Sequence, residues 1–327
     1  MEKIDNIDFP LVSIIIPVYN GSNYLDEAIN SALNQTYSNI EILVINDGSN
    51  DNGATSFISK KYENKIRYFE KSNGGVSTAL NYGIERSEGE WILWLSHDDI
   101  FLPNRVFDDI NFANENPDVK IIYSDFGKIN SEGKLYEKII NNKSSINSVQ
   151  DMIMANGLHF CTLSFKKAVL SKCGNFNDKN RTMQDVEMAL KFSANFTLHN
   201  NRNKLNTYIR ILPQKLFTKF SSFMISDMGY ISNYISQKDV LEKYFEQLEK
   251  SNETLFLGSY TLGNYFRFLG DSKNSKIFFK KAFNDFQIPI SQKAKYYTKY
   301  LISKLRTPEN RVRFFFLISL FSRIKKL

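Results

Sequence analysis

The chain has 327 residues, 42% of them apolar and 24% charged, with 15 glycines and 7 prolines. That is the composition of a folded globular protein of about two domains, and it excludes collagen-like, low-complexity and disordered chains. The net charge of +7 is uneven: residues 1–213 carry 22 Lys and Arg against 26 Asp and Glu, whereas residues 214–327 carry 20 against 9, so a slightly acidic body precedes a basic region suited to an anionic partner.

Residues 11–16 (LVSIII) form a continuous β-branched run, the pattern of a strand buried on both faces. Residues 24–34 predict a helix with Leu25, Ala28, Ile29, Ala32 and Leu33 on one side. A second strand follows at 41–45 (EILVI), a weaker helix at 52–62, a short strand at 67–69, and a helix at 76–86 with Val76, Ala79, Leu80 and Gly83 facing inward. Residues 91–95 (WILWL) predict another buried strand, 104–115 a helix after Pro103, and 121–124 a further strand. This alternation predicts an α/β fold with a mostly parallel sheet flanked by helices. From about residue 214 strand signals stop, and Lys, Phe, Tyr and Leu recur at helical spacing. Residues 255–284 resemble one tetratricopeptide-type helix pair, which must pack on neighbouring helices. The expected domains are therefore 1–213 and an all-helical 214–327.

Parallel sheets bind ligands at the carboxyl ends of their strands. Three polar clusters fall there: Pro17-Val18-Tyr19-Asn20, Asn46-Asp47-Gly48-Ser49 and Ser96-His97-Asp98-Asp99. The adjacent Asp98 and Asp99 repel unless a cation lies between them, and Mn²⁺ or Mg²⁺ takes one or two carboxylates plus substrate phosphates. The same pair could instead cap the following helix. Asp47 can accept from a base imide N–H and Gly48 admits a ligand close to the backbone, but Asp-Gly-Ser is also ordinary turn chemistry. Tyr19 could stack on a base or simply end a strand. Asn73-Gly74-Gly75, entering the helix that carries Asn81, could cradle a phosphate or sugar, although it lacks the Gly-Lys-Ser/Thr end of a P-loop. Gln184-Asp185 opens an amphipathic helix, where Asp185 is either a first-turn acid or a functional carboxylate.

Other classes find less support. Two cysteines, Cys161 and Cys173, make no disulfide framework and fit a reducing cytoplasm; His97, His159 and His199 lack zinc-site spacing. The first ten residues lack the apolar core of a signal peptide, and no run approaches the roughly 20 apolar residues of a membrane-spanning helix.

The order PxYN, DGS, NGG, DD, QD resembles the inverting nucleotide-sugar glycosyltransferases of family 2, which have the GT-A fold. The likeness spans about residues 10–212, and SHDDIFLPNR is similar to bacterial enzymes of capsule, lipopolysaccharide and other surface-polysaccharide assembly. The resemblance implies that Pro17, Tyr19 and Asp47, with Asn20, Gly48 and Ser49 beside them, hold the nucleotide. It implies Asn73, Gly75, Asn81, His97 and Asp98 near the nucleotide sugar, and Asp98 with Asp99 on Mn²⁺ or Mg²⁺. Asp185 matches the catalytic base, which takes the acceptor proton during direct, inverting attack. Gln184 and His159 fall on the acceptor side, where His159 is equally a structural histidine and Cys161 a small buried residue. Three positions depart from the family pattern: Ser96 replaces an Asp, Leu80 an Arg, and Leu212 a His that often helps hold metal or diphosphate. Arg210, Lys215 or Lys219 is expected to compensate.

Residues 291–327 carry ten Lys and Arg and one acid, Glu309. In residues 311–327, Phe314, Leu317, Leu320, Phe321 and Ile324 share one helical arc, which suits an interfacial helix on an anionic inner leaflet. Docking on the helical region or on a second copy in a homo-oligomer is the alternative. No nucleic-acid motif is present. The expected activity is transfer of a sugar, from a UDP-sugar by default, to a growing lipid-linked surface glycan by a cytoplasmic enzyme peripheral to the membrane. A wall-polymer decorating transferase and a non-catalytic nucleotide-sugar scaffold are the alternatives. Joint retention of Asp98, Asp99 and Asp185 argues against the scaffold.

Overall fold

The computed structural model describes residues 9–141, 143–154 and 158–212, and, toward the C-terminus, 221–246, 248, 252–269, 271–286, 288–289, 291 and 296. The first half runs β1 (Val12–Val18), α1 (Leu25–Leu33), β2 (Ile40–Asn46), α2 (Ala54–Lys60), β3 (Arg67–Glu70), α3 (Val76–Arg86), β4 (Trp91–Trp94), β5 (Ile100–Phe101) and α4 (Arg105–Glu115). Then come β6 (Ile121–Ile129), β7 (Leu135–Ile139), β8 (Ser145–Ile146), α5 (Val149–Met154), β9 (Leu163–Lys166), α6 (Leu170–Cys173), α7 (Gln184–Asn195) and β10 (Leu198–Arg210). The helices α8 (Ser221–Ile235), α9 (Lys238–Glu246), α10 (Asn252–Phe268) and α11 (Ser272–Asp285) follow.

One sheet has the order β3-β2-β1-β4-β9-β6-β10-β5, with β7 on β6 and β8 on β10. Its first four strands are parallel, as the sequence predicts, and β1 lies between β2 and β4 with Ile14 opposite Ile42 and Leu93. All seven residues of β1 are buried, which explains its unbroken apolar run. Helix α1 buries Leu25, Ala28, Ile29 and Ala32 in the core that includes Ile14, Ile16 and Val44. Helix α3 buries Ala79, Leu80, Gly83 and Ile84, and a Cβ on Gly83 would stand 2.7 Å from Ile15 Cγ2, so only glycine allows this approach.

The other half of the sheet is mixed. β9 is antiparallel to both β4 and β6, β10 is parallel to β6, and β5 is antiparallel to β10. Neither β7, β9 nor β10 is apparent in the sequence. β10 reads LHNNRNKLNTYIR, and asparagine is a poor strand former. Two of its side-chain amides have tertiary partners that no local pattern reveals: Asn200 Nδ2 donates to Asn141 O (3.0 Å) and Lys143 O (2.9 Å), and Asn201 Nδ2 to Asp108 O (3.0 Å).

The chain divides into two compact units, residues 1–147 with 157–223 and residues 148–156 with 224–327. In the second unit α10 and α11 form the helix pair expected at 255–284. Phe266 stacks on Phe278 at 5.3 Å, Gly263 lies where a Cβ would meet the Phe279 ring at 3.0 Å, and Asp271 caps α11 through Asn274 N (2.9 Å). Ile277, on the other side of α11, is exposed. Among the described residues no helix is long and apolar enough to cross a membrane. The basic stretch 311–327, Lys215 and Lys219 lie outside the described residues.

Candidate active site

The loops that leave the parallel strands are tied to one another. Asp47 N donates to Val18 O (2.8 Å), so the ends of β1 and β2 stay side by side. Asn20 takes a left-handed conformation (φ 51°), and its N–H donates to Ser49 Oγ (2.9 Å). Asn20 Nδ2 donates to Asn50 Oδ1 (2.7 Å), and the Asn50 backbone N–H donates to Asn20 Oδ1 (2.8 Å). Pro17 is a buried residue of β1, opposite Ile45. Tyr19 is 45% exposed, the disposition of an available stacking face.

Asp47 is expected on the nucleotide, yet its buried carboxylate is engaged within the protein. It accepts from Gly74 N (3.1 Å), Gly75 N (2.7 Å) and Lys71 Nζ (2.6 Å), while Asn73 Nδ2 donates to Asp47 O (2.9 Å). Asp47 thus fixes the Asn73-Gly74-Gly75 loop. A Cβ on Gly48 would collide with Asn73 N at 2.6 Å, and Gly75, the cap of α3, has φ 92° and ψ 167°.

Helix α3 in turn holds the loop leading to α7. Ser77 Oγ donates to Asn180 O (2.7 Å), and Asn81 Nδ2 donates to Phe176 O (2.9 Å) and Asp178 Oδ1 (2.7 Å) while its Oδ1 accepts from Phe176 N (3.0 Å). The Asn81 amide is therefore spent on the loop, although a donor-sugar contact is expected of it. Asn180 orders the turn by accepting from Met183 N (2.9 Å) and donating to Glu187 (2.8 Å). The first turn of α7 then presents Gln184, buried with its Oε1 lacking a hydrogen-bond partner, and the half-buried Asp185. Asp185 Oδ1 accepts from Val186 N (2.8 Å), but burial outweighs that bond and raises the carboxyl above the usual aspartate range.

The acidic turn lies between β4 and β5. Asp98 is half-buried, whereas Asp99 is buried and accepts from Arg210 N (2.9 Å). Burial, and then the neighbouring Asp98 charge, push Asp99 up to about 8. His97 packs on the PxYN loop, since a Cβ on Gly21 would come within 2.3 Å of its Cδ2. Burial lowers the His97 pKa and takes His159 down to about 4, so both imidazoles are neutral at pH 7. Ser96 Oγ lies 3.2 Å from Cys161 Sγ, and the ligand atoms of Asp99, His159 and Cys161 all fall within 4.8 Å of one another.

Two buried arginines support this turn, and sequence reasoning missed or misread both. Arg105, fully buried, donates to Thr162 O (2.8 Å), which anchors the turn carrying His159 and Cys161, and it pairs with buried Asp109. Asp109 also accepts from Ser164 Oγ (2.6 Å) and Asn201 Nδ2 (3.0 Å). The only sequence signal is an i,i+4 charge pair, which ordinarily marks a solvated helix face. Arg210 is expected to face phosphate, but its side chain is 1% exposed and pairs with Glu27 of α1. Its Nε donates to Asp98 O (2.9 Å) and its Nη1 to Asn130 O (3.0 Å) and Ser131 O (3.1 Å).

Comparison with known proteins agrees with this arrangement. The family model for glycosyl transferase family 2 matches residues 13–174. A glycosyltransferase of Rickettsia felis is 44% identical over 206 residues, which is 61% of this chain and 34% of that protein. The minor teichoic acid biosynthesis protein GgaB of Bacillus subtilis is 34% identical over 197 residues, 57% of this chain and 21% of its own length. The chain thus spans about a third or less of these relatives. In fold it resembles the crystal structure of S. aureus TarS 1–349 in complex with UDP-GlcNAc, with a TM-score of 0.58 at 18% identity over 83% of this chain and 90% of that one. The sheet, its strand-end motifs and the match over residues 13–174 together establish that this chain carries a domain of glycosyl transferase family 2.

Proposed function

We propose that the protein transfers a sugar from a nucleoside-diphosphate donor, a UDP-sugar, to a hydroxyl of a surface glycan, with inversion at the anomeric carbon. The observation that supports this best is the set of hydrogen bonds that ties the strand-end loops together: Asn20 to Ser49, Gly75 to Asp47 in the same Asp47-Gly48-Ser49 loop, and Ser77 and Asn81 of α3 to the loop before Asp185. Those ties connect a nucleotide-type surface to the loop before a carboxylate of raised pKa, the pairing that base-assisted transfer needs. TarS crystallised with UDP-GlcNAc, which makes that the first donor to test.

The residues divide the work as follows. Tyr19 stacks on the base, while Asn20, Gly48 and Ser49 shape the nucleotide loop around Asp47. Asn73 and Gly75 lie beside the donor sugar, with the Gly75 N–H already turned to Asp47. Gln184 and His159 contact the acceptor. Asp185 accepts the acceptor hydroxyl proton as that oxygen bonds to the anomeric carbon. The bond to the β-phosphate breaks, and its electron pair leaves on the nucleoside diphosphate.

The half-buried Asp98 carboxylate fits Mn²⁺ or Mg²⁺ as a hard oxygen donor. Asp99 fits less well, because Arg210 N occupies one oxygen and a thiol and an imidazole stand beside the group. When bound, such an ion neutralises the diphosphate leaving group. The basic C-terminal region seats the protein on an anionic membrane surface, close to a lipid-linked acceptor. The test of the donor site is calorimetric titration of UDP with and without Mn²⁺. Asp98→Asn should remove the Mn²⁺-dependent part of the affinity, and unchanged affinity in a folded variant would refute the assignment.

A further inference from the structure

We propose that Arg210 is a positioning residue, a buried clamp that holds the Asp98-Asp99 turn in its donor-binding shape. It rests on Asp98 acting on the donor's diphosphate. The guanidinium is planar, always charged, and carries five N–H donors in a fixed fork. Here the fork reaches three separate elements. Nε donates to the carbonyl of Asp98 itself at 2.9 Å, Nη1 donates to Asn130 O (3.0 Å) and Ser131 O (3.1 Å) in the turn between β6 and β7, and Nη2 pairs with Glu27 of α1. The Arg210 backbone N–H meanwhile donates to Asp99 Oδ1 (2.9 Å). One residue therefore fixes the peptide of the first aspartate and the carboxylate of the second.

The clamp has a lid of its own. Tyr24 lies over the guanidinium, 4.2 Å from Cζ to the ring centroid, and its hydroxyl donates to Ser131 O (3.2 Å). The charge is compensated at Glu27, so the group is stable although its side chain is 1% exposed. Four of its five N–H donors are directed into the protein, and the side chain is 1% exposed. It acts on the donor only through the turn. Lysine cannot replace it, because a point charge with a flexible stem reaches one or two of these acceptors rather than the whole set.

The experiment measures UDP affinity with and without Mn²⁺ for the full chain and for Arg210→Lys, Arg210→Ala, Tyr24→Leu and Asp98→Asn, with circular dichroism to verify folding. Arg210→Lys and Arg210→Ala should each lose about tenfold or more of the Mn²⁺-dependent affinity, on the scale of a lost hydrogen bond to a charged group, and keep the metal-independent part. Millimolar guanidinium at constant ionic strength should restore Arg210→Ala but not Asp98→Asn. Tyr24→Leu, which leaves the arginine in place, should give a smaller loss and serves if the Arg210 variants do not fold. If Arg210→Lys and Tyr24→Leu both bind as the parent does while Asp98→Asn fails, the clamp is wrong and the donor site stands. If Asp98→Asn also binds normally, the donor site itself is wrong.

Discussion

At the scale of single residues, the site is built from carboxylates whose surroundings push them apart in role. Asp185 has a raised pKa because burial disfavours its charge more than the Val186 N–H stabilises it. A base works only when ionised, so the rate of transfer should fall as pH drops through a value above the usual aspartate range of about 3.9. The same shift has a stability consequence of definite sign. A carboxyl with a raised folded pKa stabilises the fold when protonated, and that contribution is lost as pH rises through the folded pKa. Asp185→Asn should therefore melt no lower than the parent at pH 7 while transfer falls roughly 10²–10⁴-fold. Near-normal turnover with a glycan acceptor would make Asp185 a helix-start acid only. Behind the site, Arg105 and Asp109 form a buried pair whose partners are Thr162 O, Ser164 and Asn201. Removing one partner strands the other charge, so Asp109→Ala should cost about 3–5 kcal/mol in chemical denaturation. A loss below 1 kcal/mol would show that the pair is solvated.

At the scale of elements, the loops after β1, β2 and β4 do their work because their backbones are held in fixed shapes. Gly75 is the sharpest case, with φ 92° and ψ 167° in a region that essentially only glycine visits. The space around it is open, the nearest atom to a Cβ being Arg181 Cγ at 3.9 Å, so Gly75→Ala tests backbone strain alone. It should destabilise by about 1–3 kcal/mol and weaken donor binding by moving the N–H that Asp47 holds. Unchanged donor affinity would separate this loop from the site. The sequence exposes these loops because each follows an apolar run buried on both faces. β10 escapes notice for the opposite reason: its asparagines oppose strand formation locally, and the Nδ2 groups of Asn200 and Asn201 find their partners only in the tertiary fold. The Glu27–Arg210 pair is likewise hidden, since 183 residues separate its members.

At the scale of the whole molecule, the chain joins a glycosyltransferase unit to a helical one with a very different charge. Residues 291–327 hold ten Lys and Arg, each contributing about 1 kcal/mol near an anionic leaflet. Deleting residues 311–327 should release the protein from anionic liposomes in flotation and leave donor hydrolysis intact. A changed oligomeric state, with no flotation of the full chain, would assign the tail to protein contacts. The central claim is tested most directly by incubating the full chain with UDP-GlcNAc and other nucleoside-diphosphate sugars in Mn²⁺ and measuring release of the nucleoside diphosphate. Release from at least one donor, abolished by Asp98→Asn, is the predicted result. A folded protein that binds and cleaves none of them would contradict the assignment of this site to sugar transfer.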